Sequence, residues 1–92
     1  MKRTITNGGE FMIEKTIRVY GATWCPDTSR ARRILDKHHI GFAWYDVDVD
    51  RSARAFVESL NDGDCRIPTI VFIDGSILVE PDDEELENKL VS

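Results

Sequence analysis

Apolar positions change their period several times along the chain, and each change marks an element. Thr16–Tyr20 (TIRVY) alternates and carries β-branched residues, which predicts a strand. Gly21–Thr23 breaks it. Pro26 then suits the first turn of a helix, where its missing N–H costs nothing. Ala31, Ile34, Leu35 and His38 follow at helical spacing as a buried stripe, with Arg30, Arg32, Arg33 and Lys37 on other faces. Gly41 is the expected terminator. Phe42–Asp48 reads as a second strand. Ser52 is the expected cap of a second helix with stripe Ala53, Phe56, Val57 and Leu60. After the turn cluster Asn61–Asp64, Thr69–Ile73 is almost wholly apolar, as a strand buried on both faces would be. Asp74-Gly75 signals a hairpin, Ser76–Glu80 the returning strand. Pro81-Asp82-Asp83 opens a last helix, with Leu86 and Leu90 facing inward.

The predicted order is β-α-β-α-β-β-α. A right-handed first crossover sets two parallel strands side by side, and the hairpin adds two more. An α/β domain results, with one four-stranded mixed sheet and helices on both faces. The first helix starts at the carboxyl end of the first strand, where α/β proteins usually build their sites. Cys25 lies at that junction.

Composition narrows the function classes. Ninety-two residues make one small domain with a single core. The net charge of −5 and a pI near 4.9 argue against nucleic acid as the main partner, since phosphate binding needs a basic face. No apolar run approaches the length of a membrane helix, so no membrane span is expected. Two cysteines, Cys25 and Cys65, are too few for a disulfide-stapled scaffold, which points to a reducing cytoplasm. His38 and His39 are adjacent and point to different faces, so no metal site is expected there. Residues 1–11 show no helical or strand period. They are expected to be a disordered tail or a non-native start ahead of Met12, with the domain spanning residues 12–92.

The candidate chemistry centres on Thr23–Arg30, "TWCPDTSR". A cysteine at a helix start meets unpaired backbone N–H groups and the positive end of the helix dipole. Both favour thiolate, the nucleophilic form. Pro26 leaves the N–H of Asp27 and those after it as donors to the sulfur. Trp24 can shield one side while the sulfur stays at the surface. Asp27 works the other way, because a nearby carboxylate opposes the thiolate. The plain alternative for Cys25 is a small buried hydrophobe. Pro68 either marks the entrance of a strand or forms a cis peptide bond with Ile67; the sequence does not separate the two.

Cys25 at a strand–helix junction, Ile67-Pro68-Thr69 before a strand, and Asp74-Gly75 in a hairpin occur in one order. Over residues 16–91 this resembles a glutaredoxin of the thioredoxin fold. It is most similar to mycoredoxin-like and glutaredoxin-like bacterial members. "VYGATWCPDT" resembles their active-site segment, and "FVESLNDGDCRIPTIVFIDGSILVEPDDEELENKL" the cis-proline, hairpin and last-helix region. The resemblance implies thiol–disulfide exchange with a low-molecular-weight thiol, of glutathione or mycothiol type, as co-substrate. No tightly bound cofactor is implied. Cys25 would be the nucleophile, Pro68 the cis proline, and the backbone of Ile67 a pairing edge for the bound thiol. Pro81–Asp83 matches the place where the family holds the thiol's outer end. There Asp82 or Asp83 could pair an ammonium, or simply cap the helix.

Three positions depart from the pattern. Thr28 replaces the second cysteine of C-x-x-C, which implies monothiol chemistry: Cys25 takes the thiol adduct and a second small thiol releases it. Thr28 could still donate a hydrogen bond to the thiolate. Ala22 stands where many glutathione-dependent members carry lysine, and Arg66 replaces the usual threonine before the proline. Arg66 either supplies the missing positive charge or is a solvated loop residue. Cys65, three residues before Pro68, is either an alternative resolving cysteine or a bystander. The expected partners are protein disulfides or mixed disulfides and a small thiol, with the domain monomeric. Two other function classes remain open: a thioredoxin-fold binding module without turnover, and a [2Fe–2S] carrier, which Pro26 disfavours.

Overall fold

The computed structural model describes residues 16–91. The expectations for residues 1–11 and for Met12 lie outside the described residues. In chain order the elements are β1 (Ile17–Gly21), α1 (Pro26–Lys37), β2 (Phe42–Asp46), α2 (Arg51–Leu60), β3 (Thr69–Val71), β4 (Ile77–Val79) and α3 (Asp83–Val91). The sheet runs β2-β1-β3-β4, with β1 parallel to β2 and both β3 pairings antiparallel. This is the mixed four-stranded sheet that the hydrophobic pattern predicts.

Alternation along the strands divides the core in two. Ile17, Val19, Ile70 and Phe72 pack with Ala31, Ile34 and Leu35 of α1 and Leu86 of α3. Tyr20, Val47 and Val71 pack with Ala53 and Val57 of α2 on the opposite face. Leu35 is fully buried, which stabilises the fold by about 1.5–3 kcal/mol relative to exposure. The Tyr20 ring stacks on Tyr45 at 4.8 Å, and Arg18 donates to the Tyr20 hydroxyl at 3.0 Å.

Several boundaries differ from the sequence reading, each for a local reason. Gly21 is the last residue of β1 rather than a breaker, paired in register with Asp46. α1 is ended by His39, not Gly41. His39 adopts a left-handed conformation (φ 59°), its N–H bonds to the Asp36 carbonyl, and the Ile40 N–H reaches the Leu35 carbonyl, both at 3.0 Å. That pair of bonds satisfies the last carbonyls of the helix in a Schellman arrangement and turns Ile40 onto the core. β2 stops at Asp46 because the Asp46 carboxylate accepts the Asp48 N–H at 2.9 Å, closing a turn. The cap of α2 is Asp50, which accepts from Ala53 N–H at 3.0 Å, and Ser52 lies inside the helix. β3 ends at Val71 because Phe72 already belongs to the hairpin. The Phe72 N–H donates to the Ser76 carbonyl, and Gly75 takes φ 89°. Ile73, expected in the buried strand, is therefore exposed at the turn.

Candidate active site

Three chain breaks meet at the carboxyl end of β1. The first is the strand–helix junction. Cys25 is the N-cap of α1, with extended φ −84° and ψ 117°. Its N–H donates to the Ala22 carbonyl at 3.2 Å, and its carbonyl accepts the Ser29 N–H at 3.1 Å, the first helical bond. Pro26 follows at the first helical position, as its fixed φ favours. The sulfur accepts no capping hydrogen bond, so the expected bonds from the N–H groups of the first turn are not made.

The two neighbours exchange the roles expected of them. Cys25 is only 7% exposed, whereas Trp24 is 69% exposed. The indole does not leave the sulfur at the surface; it stands outward, with Nε1 donating to Asp48 Oδ2 at 2.8 Å.

Thr28 is fully buried against Gly21, and its Oγ1 has no hydrogen-bond partner. The expected bond from Thr28 to the sulfur is not made. A buried hydroxyl without a partner costs about 1–3 kcal/mol.

The second break is Ile67-Pro68, whose peptide bond is cis. In the β1–β3 register Tyr20 opposes Thr69, which sets Pro68 beside the strand end leading to Cys25. Pro68 is fully buried, its carbonyl accepts the Glu80 N–H at 2.8 Å, and Thr69 Oγ1 donates to the Arg66 carbonyl at 2.7 Å. Arg66, a candidate free positive charge, instead pairs with Glu80 at 2.7 Å.

The third break joins β4 to α3. Glu80 takes φ 51° and sends the chain through Pro81 to Asp82. Asp82 accepts the Glu85 N–H at 2.8 Å, while Glu85 Oε1 accepts the Asp82 N–H at 3.1 Å. This capping box gives Asp82 the helix-capping role. Asp83 pairs with Arg30 Nε at 3.3 Å, and Arg30 also pairs with Asp27. Asp82 thus serves the helix start, and Asp83 serves an ion pair between α1 and α3. A groove of about 500 Å³ lies among Asp27, Arg30 and residues 80–84. Arg30 went unremarked as a site residue; the i, i+3 spacing from Asp27 was the available signal.

Cys65, three residues before Pro68, is half-buried against the residues packed under α2, and Cys25 heads α1. Both cysteines are free. Burial pushes the Cys65 thiol up, with the Arg54 charge a smaller opposing influence. Among the described residues no group of three or more His, Cys, Asp or Glu side chains is placed to hold a metal ion.

A strand leading to a cysteine at a helix start, beside a strand entered through a cis proline, is the arrangement of a thioredoxin-like fold. A glutaredoxin of Archaeoglobus fulgidus superposes with a TM-score of 0.69 at 17% identity, over 98% of this chain and 99% of that one, which shows the shared fold. Residues 17–78 match the glutaredoxin family model. A candidate glutaredoxin of Mycobacterium tuberculosis is 35% identical over 80 residues, 87% of this chain and 95% of that protein. Mycoredoxin 1 of Corynebacterium glutamicum is 32% identical over 65 residues, 71% of this chain and 80% of that protein. The chain belongs to the glutaredoxin family, a family of thiol–disulfide oxidoreductases.

Proposed function

We propose that this chain is a monothiol oxidoreductase of a reducing cytoplasm, acting as a monomer to remove a low-molecular-weight thiol from protein mixed disulfides. The observation that carries the reading is Cys25 at the N-cap of α1, with Thr28, which has no thiol, one turn further on. The Cys25 thiolate attacks the small-thiol sulfur of a mixed disulfide in line. The Cys25–sulfur bond forms as the old disulfide breaks, and the protein thiolate leaves and takes a proton from water. A second small thiolate then attacks the adduct, forming the small-molecule disulfide and restoring Cys25. The cis Ile67-Pro68 segment supplies a backbone edge beside the incoming disulfide. The co-substrate is a low-molecular-weight thiol of glutathione or mycothiol type.

Mass spectrometry tests this reading. The protein is offered mixed disulfides of glutathione, bacillithiol, mycothiol and coenzyme A. Transfer of one adduct onto Cys25, lost in Cys25→Ser, supports it and names the thiol. Transfer from none of them leaves a thioredoxin-fold binding module as the better description.

A further inference from the structure

We propose that Arg30 sets the charge selectivity of the site, and that Asp27 and Asp83 hold it so as to disfavour anionic thiols. The inference rests on the exchange reading above and names the substrate class of the same site.

The groove begins at Asp27, two residues beyond the nucleophile, and its far wall is Glu80–Glu84. Its lining carries five carboxylates, Asp27, Glu80, Asp82, Asp83 and Glu84, against one cation, Arg30. That cation is already matched. Arg30 reaches Asp27 within α1 and Asp83 at the start of α3. Arg66, the next cation on this rim, is matched by Glu80 at 2.7 Å.

A helix start ordinarily attracts an anion. The first turn of α3 cancels that attraction with its own acids, Asp83, Glu84 and Glu85. A thiol bearing carboxylates or phosphates would enter a groove of its own sign and find its guanidinium taken. An uncharged or cationic thiol meets no such opposition. Selectivity here comes from repulsion of the wrong ligand, with Arg30 as the residue whose pairing sets its strength.

The test uses one cysteine peptide as three mixed disulfides, with cysteamine (cationic), mercaptoethanol (uncharged) and mercaptosuccinate (dianionic). Peptide thiol release is followed in single turnover by the full chain. Each rate is normalised to the reaction of the same disulfide with free mercaptoethanol. The expected order is cysteamine, then mercaptoethanol, then mercaptosuccinate, with the spread narrowing as salt rises. Asp83→Asn, which loosens the hold on Arg30, raises the mercaptosuccinate-to-mercaptoethanol ratio by up to about fivefold. Arg30→Gln lowers the same ratio. Equal normalised rates at low salt, or a ratio unmoved by both variants, overturn the charge selection while leaving the exchange chemistry standing. No release from any of the three sinks the exchange reading and this inference with it.

Discussion

A methyl group on Gly21 would lie 2.5 Å from Thr28 Cγ2 and 2.6 Å from Thr28 Oγ1. The residue one turn after the candidate nucleophile thus rests directly on the end of the strand that delivers it. Gly21→Ala must push α1 away from β1 and is expected to destabilise the fold by about 1–3 kcal/mol. Adding Thr28→Ala reopens the space, so the double variant recovers part of the loss. Urea unfolding midpoints of the set check this, and an unchanged midpoint in Gly21→Ala contradicts the close packing.

Thr28→Val keeps the shape and removes a hydroxyl without a partner. The expected outcome is a fold at least as stable, by up to about 1–3 kcal/mol. Because no bond joins Oγ1 to the Cys25 sulfur, the single-turnover rate at Cys25 stays the same. A sharp fall in that rate would mean the hydroxyl turns to the thiolate during reaction.

Lys37 and His38 at the end of α1 both bond Glu87 of α3, and their interactions hold the Glu87 carboxyl below its usual value. Asp74 is lowered likewise, first by the Ser76 hydroxyl and then by the Ser76 N–H and Lys89. A depressed folded-state pKa contributes stability that is present above the unfolded value and lost as pH falls through the folded one. Both contributions are therefore present at neutral pH and fade below the ordinary carboxylate range. Thermal melts of Glu87→Gln across that acid range are expected to show a shallower loss of stability than the parent. An identical acid slope would remove Glu87 from the account.

Cys65 sits under α2 with its thiol pushed up by burial. Cys65→Ala is expected to leave resolution of a Cys25 mixed disulfide unchanged. In the parent, alkylation of Cys65 at neutral pH is expected to lag that of an unfolded control. Time-resolved peptide mapping reads both. Slower resolution in Cys65→Ala would make it the resolving residue.

The element order was legible because strand and helix periods alternate cleanly between Thr16 and Leu90. So was the place of Cys25, since a proline just after a strand break marks a helix start. What escaped was either conformational or distant. Nothing in the letters tells that His39 rather than Gly41 takes the left-handed turn, for both lie within reach of the helix end. Asp50 and Ser52 are both good caps, and only the backbone chooses Asp50. The Arg66–Glu80 and Arg30–Asp83 pairs join residues from separate elements, so charges that read as free ligands in sequence are matched in space. Asp82 and Glu85 carry the local signature of a capping box, and the structure forms it.

The three segments around Cys25 are held by local devices: an N-cap and Pro26 at one, a cis proline at the second, a left-handed Glu80 and a capping box at the third. Their outward side chains, Trp24, Asp27, Arg66 and Glu84, are exposed and bear little of the fold's weight. The rim is thus a surface that can be rewritten while the scaffold stands. A lineage, or a designer, can change the charge and shape of this rim by point substitution without first finding a new way to fold.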